Sequence, residues 1–172
     1  MKRIFNKFLI TISLAALLVV FAVLCIQSKH ALALEHGAYN KKDILNVAVY
    51  VMLQLINEER EYNHMPALKL DETMQKAADH RVSELLINFS HERPDGRNFS
   101  TIFAEFNLAP REGAENIAWK NIELDVLAFH NAFMGSPVHR VNILNPKYSI
   151  IGIGFRIEDD KYYVVELFAD KS

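Results

Sequence analysis

The last quarter of the chain carries the pattern that most constrains the fold. Residues 151–157 alternate between apolar side chains and small or polar ones, which indicates a strand with one buried face. A turn at 159–160 follows, and 162–168 returns as an antiparallel partner strand. Gly152 and Gly154 fall on one face of this hairpin, so we expect a backbone or an aromatic ring to approach it there.

Helical patterns fill the chain before this hairpin. Residues 41–61 place apolar side chains at helical spacing, and 71–87 does the same behind Asp71, a favourable N-cap residue. A third helix is predicted over 123–135, and a short one over 100–108. Helices followed by a C-terminal hairpin predict an α+β fold, in which helices flank a small antiparallel sheet.

The first 33 residues have the composition of a secretory signal. Three basic residues precede 8–26, a run without any charge, and Ala31-Leu32-Ala33 follows as a cleavage pattern of small residues around a larger one. The uncharged run is longer than a usual signal core, so an uncleaved N-terminal anchor is the alternative, and it is the only predicted membrane contact. We therefore divide the chain into this segment at 1–33, a lead-in with the start of the first helix at 34–48, and a domain at 49–172.

Charge and cysteine content exclude several classes of protein. Four of the 19 basic residues lie in 1–33, so the remainder carries fifteen against 21 acidic residues, a net charge of −6 with histidine neutral. There is no basic stripe, which argues against nucleic acid as a partner. The single cysteine, Cys25, lies in the leader, and an exported domain without disulfides is typical of bacterial proteins. The protein is predicted to be secreted, or held in the cell envelope.

Two of the seven histidines stand out because each lies where a predicted helix gives way to a turn, close to a proline. They are His91, after the second helix, and His139, after the third. The histidines show no metal-ligand spacing, so position rather than a motif distinguishes this pair. Glu115 lies between Gly113-Ala114 and Asn116-Ile117-Ala118, a largely apolar setting for a carboxylate, within residues 111–120, which are predicted as a short strand or an extended loop. Since side chains at rigid element ends commonly face a cleft, we expect the two histidines to meet in one, whereas the local sequence leaves Glu115 equally consistent with an exposed surface residue.

Five segments, read in order, resemble motifs of the CAP superfamily, which comprises cysteine-rich secretory, antigen 5 and pathogenesis-related proteins. The likeness is to SCP-like domains of its bacterial secreted branch, and it covers about 49–168. Each motif alone is weak, but the order of the five identifies the family. The segments are Asn57-Glu58-Glu59-Arg60, His91-Glu92-Arg93-Pro94-Asp95-Gly96, Ala114-Glu115-Asn116-Ile117-Ala118, Ser136-Pro137-Val138-His139-Arg140-Val141-Asn142-Ile143-Leu144 and Ile151-Gly152-Ile153-Gly154.

The resemblance implies an α-β-α sandwich with a central cleft lined by two histidines and two acids. His91 and His139 match the histidines and Glu115 matches the first acid, while the second acid falls near Ser136 and is missing. Two imidazoles and one carboxylate suit Zn²⁺, whereas calcium requires more oxygen donors. The expected cofactor is zinc, or none.

The resemblance implies a binding module more than an enzyme, with a metal, a lipid, another small molecule or a partner protein as its ligand. One alternative is a hydrolase, either a peptidase or an esterase. It would use zinc on the two histidines with Glu115 as general base or, without metal, Ser136 as nucleophile and His139 as base. The other alternative is a purely structural cluster of polar residues. Residue identity alone does not separate these three, and binding is favoured.

Overall fold

The structure, a computed structural model, describes residues 40–121 and 124–170. The predicted leader at 1–33 lies outside the described residues, as does the first part of the lead-in up to residue 39. None of the described helices is long and apolar enough to cross a membrane. The elements of the described chain are α1 Lys41–Tyr62, β1 Lys69–Leu70, α2 Glu72–Glu84, α3 Thr101–Glu105, β2 Gly113–Asn121, α4 Val126–Gly135, α5 Pro137–Ile143, β3 Ile150–Glu158 and β4 Lys161–Ala169.

The four strands form one sheet in the order β1-β3-β4-β2. β3 and β4 form the predicted hairpin, and its turn residues Asp159 and Asp160 both have positive φ angles, which aspartate tolerates in tight turns. β2 runs antiparallel to β4, so the stretch predicted as strand or loop is a strand. The short β1 pairs with β3 in parallel, which makes the sheet mixed rather than wholly antiparallel. β2 therefore forms one edge of the sheet.

Helix α2 lies directly on the glycine face of the hairpin. A Cβ atom at Gly152 would come within 2.1 Å of the Met74 carbonyl oxygen, and one at Gly154 within 2.4 Å of the Ala78 carbonyl oxygen. The side-chain amide of Gln75 exchanges hydrogen bonds of 2.7 and 3.1 Å with the backbone of β3. The close approach predicted from the two glycines is confirmed, and the approaching group is a helix backbone.

Apolar side chains cover both faces of the sheet. One core lies between the sheet and helices α1, α4 and α5, and it includes the buried Met52, Phe133 and Ile143. A second core lies between the sheet and helices α2 and α3, and it includes the buried Val82 and Ile102. The result is the α-β-α sandwich that the resemblance implied.

The helix boundaries follow the capping residues. Asp71 caps α2 as predicted, its carboxylate accepting from two amides of the first turn, although the helix ends at Glu84 rather than at residue 87. Asp125 caps α4. The largest difference lies at 137–143, where the structure has a helix, α5, instead of the predicted turn. Pro137 occupies its first position, where the missing N–H is not needed and the fixed φ angle favours a helix.

Arg60 joins the end of α1 to the segment after α5. Its guanidinium is fully buried and donates to the carbonyl oxygens of Pro66, Ile143, Asn145 and Tyr148 at 2.7–3.2 Å. Burial lowers the pKa of Arg60. Because three of the four carbonyls belong to the segment 143–148, this one side chain fixes the C-terminal end of α5 against α1.

Candidate functional site

The candidate site lies across β2, the edge strand. Successive residues of a strand point to opposite faces, so Glu115 is directed toward α2 and Asn116 toward α5. We call the segment 88–99, which follows α2, the α2 rim, and helix α5 the α5 rim. A cavity of about 320 Å³ opens between the two rims. Its lining consists of His91, Phe99, Gly113, Ala114, Glu115, Val138, His139 and Asn142.

Glu115 and Arg81 form a fully buried ion pair beneath the α2 rim. Arg81 Nε donates to Glu115 Oε2 at 2.7 Å, and Arg81 Nη2 donates to Oε1 at 3.3 Å. Arg81 Nη2 also donates to the carbonyl oxygen of Ser90, and Nη1 lies 3.4 Å from a Glu84 carboxylate oxygen. A buried ion pair requires such additional hydrogen bonds to offset the loss of hydration. The pair therefore joins β2, α2 and the start of the α2 rim.

His91 extends this group of contacts to the surface. Its Nδ1 lies 2.8 Å from Glu115 Oε1, while 55 % of its side chain remains exposed. Because a carboxylate only accepts, Nδ1 must carry the proton of this hydrogen bond, which leaves Nε2 of the neutral ring as an acceptor. The ring also meets Phe99 edge-on, with 6.3 Å between the ring centroids. Glu115 thus sets the tautomer and the orientation of His91.

A second group of charges closes the α2 rim. Arg93 is buried and donates to Glu84 at 2.6 Å and to Glu105 at 2.8 Å, while Arg97 binds both Asp95 and Glu105. Hydrogen bonds from Arg93 and Arg97 lower the pKa of Glu105 to about 2, and those from Arg97 lower the pKa of Asp95 to about 2. The conformation of this rim depends on ionised carboxylates.

His139 projects from α5 on the other side of the cavity. The residue is half-buried, and its ring meets Phe133 edge-on, with 5.1 Å between the centroids. Burial first, and then the charge of His91, lower the pKa of His139. The neutral form of the His139 imidazole is therefore favoured.

Amide hydrogen bonds hold the α5 rim. Asn116 is fully buried, and its Nδ2 donates to the backbone carbonyl oxygen of His139 at 3.2 Å. Its Oδ1 accepts from Asn142 Nδ2 at 2.8 Å. Asn116 Nδ2 also donates, at 2.9 Å, to Oε2 of Glu166, a second buried residue. One side chain on β2 therefore fixes both cavity-lining residues of α5 that carry polar groups.

The cavity brings together three of the four predicted site residues. His91, Glu115 and His139 all line it. Ser136 does not line it, since it occupies the N-cap position of α5, where its side chain makes no capping hydrogen bond. A role for Ser136 as nucleophile stays a prediction.

A larger cavity, of about 580 Å³, lies along α1 and the segment that follows it. Tyr50, Leu53 and Met65 are part of its mostly apolar lining, and none of the predicted site residues is. We place the candidate site at the smaller cavity, because there two imidazoles and an ion-paired carboxylate converge from three separate elements.

The order of these elements and the cleft between them agree with a known family. The sequence profile of the cysteine-rich secretory protein family, CAP, matches residues 53–168. The chain belongs to the CAP family. It is 29 % identical over 121 residues to the protein YkwD of Bacillus subtilis (strain 168), an alignment that covers 69 % of this chain and 43 % of YkwD.

Solved structures share the CAP fold of this chain. An extracellular protein containing a SCP domain from Bacillus anthracis str. Ames matches with a TM-score of 0.66 and 25 % identity, over 76 % of this chain and 42 % of that chain. An outer surface protein from Borrelia burgdorferi matches with a TM-score of 0.65 and 20 % identity, over 77 % of this chain and 95 % of that chain. The alignments with this CAP chain thus span less than half the length of the two Bacillus relatives.

The donors of the CAP cleft do not form a three-ligand metal site in this arrangement. Within residues 40–121 and 124–170, no three His, Cys, Asp or Glu side chains are grouped so that they could hold a metal ion. Both oxygens of Glu115 already accept hydrogen bonds from Arg81, and one also accepts from His91. The three residues therefore do not fit the predicted zinc site as they stand, and zinc binding stays a prediction.

Sequence reasoning missed the residues that hold the two histidines. Arg81 lies four residues after Ala77, on the inward face of α2, and Glu166 shares the inward face of β4 with Val164 and Phe168. A charged residue at an inward position of a periodic pattern was the available signal in both cases. Asn116 left no such signal, because it lies on the face of an edge strand whose covering helix was not predicted.

Proposed function

We propose that this CAP domain is an extracellular binding domain whose ligand is held between His91 and His139. Both imidazoles line the cavity and are accessible to a ligand, whereas the carboxylate of Glu115 is already bound to Arg81 and His91. Hydrogen-bonding groups that converge on a concave site with apolar walls are the usual features of a ligand-binding cleft.

Placement outside the cell has two supports. The Bacillus anthracis relative is an extracellular protein, and the Borrelia burgdorferi relative is an outer surface protein. The basic start and the uncharged run of 1–33 have the composition of a secretion signal. Both supports concern where the binding domain acts, and the ligand has to be inferred from the cavity itself.

The lining favours an amphipathic ligand with an uncharged polar group. Imidazole nitrogens and the amide of Asn142 hydrogen-bond to hydroxyl and amide groups. Phe99 and Val138 offer apolar surface beside them. Among the described residues, no lysine or arginine lines the cavity, so nothing there favours an anionic group over a neutral one. A lipid with an uncharged head group has this chemistry.

Hydrolysis fits the cavity less well than binding. A general base needs an acceptor free to reach the reacting group. Glu115, the general base of the zinc-dependent alternative, has both oxygens engaged in hydrogen bonds. Ser136, the nucleophile of the metal-free alternative, does not line the cavity. The structural alternative accounts for Arg81 and Glu115, which are buried, but a half-exposed His91 adds little to a purely structural cluster.

The binding proposal is tested by analysing what accompanies the purified full-length protein. We would extract the wild-type protein with organic solvent for mass spectrometry and measure its zinc content in parallel. The variants His91→Ala and His139→Ala should lose the accompanying compound, whereas His80→Ala, which changes a histidine outside the cavity, should keep it. A wild-type protein free of both organic compound and zinc, or cleft variants that retain them, would contradict the proposal.

A further inference from the structure

Glu166 is a carboxyl group buried in the sheet with only half of its hydrogen-bonding capacity used. It lies on β4 and is completely inaccessible to solvent. Its Oε2 accepts from Asn116 Nδ2 at 2.9 Å. Its Oε1 is also buried and has no hydrogen-bond partner among the described residues. A buried, unpaired oxygen of this kind is unfavourable for an ionised carboxylate, which would lose its hydration without compensation.

Among the described residues, the hydrogen-bond partner of Glu166 is Asn116, which also holds the α5 rim. Asn116 Nδ2 donates both to Glu166 and to the carbonyl oxygen of His139, and Asn116 Oδ1 accepts from Asn142. His139 and Asn142 line the cavity. The buried carboxyl therefore lies one side chain away from the two polar residues that α5 presents to a ligand.

Burial decides the protonation state of Glu166. It raises the pKa of Glu166 to about 8, and the hydrogen bond from Asn116 opposes this shift. No charged residue is a cause of the shift. The titratable groups in or beside the core on this face of the sheet are His139 on α5, His130 on α4, Arg60 on α1, Tyr148 before β3 and Tyr162 on β4. Glu115 on β2 points to the opposite face of the sheet.

We propose that Glu166 is a positioning residue that holds the α5 rim of the cleft in its neutral form, and that its ionisation releases that rim. A neutral carboxyl offers Asn116 a carbonyl oxygen without burying a charge. Once the group ionises, the favourable response is for α5 and the Asn116 amide to move so that water reaches the oxygens. This inference depends on the proposed function only in that the regulated element is one side of the binding cleft.

The direction of the pH effect follows from linkage. The pKa of Glu166 in the folded protein lies above its ordinary value of 4.5. The α5 rim in its observed, closed position therefore keeps a proton on Glu166, and the released, open rim, in which water reaches the carboxyl, loses it. The contribution of protonated Glu166 to the stability of the closed α5 rim is complete below about pH 4.5 and is lost as the pH rises through about 8. Between these limits the opening equilibrium should grow by up to about tenfold per pH unit.

The test compares amide hydrogen exchange in α5 between the wild-type protein and Glu166→Gln, from pH 6 to pH 8. Glutamine keeps the size and the carbonyl acceptor of the neutral acid but does not ionise. The probes are the amides of Arg140 and Leu144, which donate to the carbonyl oxygens of Ser136 and Arg140 and so span α5, and the Gln75 amide at the start of α2 is the internal control. We expect the ratio of wild-type to variant exchange rates at the probes to rise on the order of tenfold per pH unit, with a constant ratio at the control.

Two results would overturn the inference. One is a ratio at Arg140 and Leu144 that does not change with pH, and the other is a carboxyl carbon of Glu166 that titrates below pH 5 by NMR in the wild-type protein. A purely structural role predicts that Glu166→Gln lowers protection equally at every pH. Since no ligand is added, failure here leaves the binding proposal standing, and failure of the ligand analysis does not affect this result.

Discussion

The two rims of the cleft are held by opposite kinds of chemistry. The α2 rim rests on charges, with Arg81 paired to Glu115 and Arg93 paired to Glu84 and Glu105. The α5 rim rests on neutral groups, with Asn116 at their centre. Both rims meet at the same strand, where Glu115 and Asn116 are adjacent. Neighbouring residues on one edge strand therefore anchor the two sides of the cavity by different means.

This contrast has a consequence for pH. The α2 rim requires ionised carboxylates, so acid should weaken it, whereas the α5 rim includes a carboxyl that favours its neutral form, so alkali should weaken that one. Both rims should therefore keep their observed conformation only at pH values between the acid range that weakens the α2 rim and the alkaline range that weakens the α5 rim. Substitutions in each rim test whether the two are as different as their contacts indicate.

The largest effect is expected when the buried ion pair is broken. Glu115→Ala leaves the Arg81 guanidinium buried without its counter-charge, and removing one partner of such a pair costs about 3–5 kcal/mol in the free energy of unfolding. Urea denaturation measures the loss. Glu92→Ala, which removes an exposed acid from the same rim, is the matched control and should change little.

The double variant Arg81→Leu/Glu115→Leu sharpens this result. Because no unpaired charge remains, its free energy of unfolding should lie closer to that of the wild-type protein than that of Glu115→Ala does. If Glu115→Ala costs no more than the Glu92→Ala control, the ion pair is not what holds the α2 rim.

A smaller loss is expected on the neutral side. Asn116→Ala removes the partner of Asn142 and of Glu166, and leaving buried polar groups unsatisfied costs about 1–3 kcal/mol. Asn131→Ala, at an exposed position of α4, serves as control. Hydrogen exchange should show the loss of protection concentrated in α5. Equal loss in α2 would mean that the two rims are not separately anchored.

The smallest effect is expected for Glu105, an exposed acid on α3 that pairs with Arg93 and Arg97 of the α2 rim, and this effect depends on pH. The pKa of Glu105 is lowered to about 2, chiefly by its hydrogen bond to Arg93, so its contribution is present above about pH 4.5 and is lost as the pH falls toward 2. The melting temperature of Glu105→Gln should therefore fall less steeply between pH 5 and pH 3 than the melting temperature of the wild-type protein. Parallel curves for the two proteins would show that this carboxylate does not support the rim.

Much of the fold could be predicted because its elements carry local patterns. The alternation at 151–157, the N-cap Asp71 and the two glycines of β3 each require only neighbouring residues to be interpreted. The two-residue β1 and the helix α5 are too short to repeat a pattern, and Pro137 at the start of α5 is as typical of a helix break as of a first helical position. The leader at 1–33 stays a prediction, since it lies outside the described residues, and so does a bacterial origin.

The site could be predicted in part. The resemblance identified His91, Glu115 and His139, and these residues share one cavity. What supports them depends on side chains distant in sequence, because Arg81 meets Glu115 across 34 residues and Asn116 meets Glu166 across 50. Periodicity shows which face of an element is buried, but it does not show which polar groups on two buried faces will pair.

The convergence of the two histidines on one cavity is tested most directly by NMR measurement of the pKa of His139 in the wild-type protein and in His91→Ala. The charge of His91 is one of the two causes that lower the pKa of His139, so its removal should raise that pKa toward 6.5. The pKa of His130, which is lowered by burial and opposed by Glu59 and Glu58, should not change. If the pKa of His139 does not move in His91→Ala, the two rings do not face one another, and the cleft is not the site.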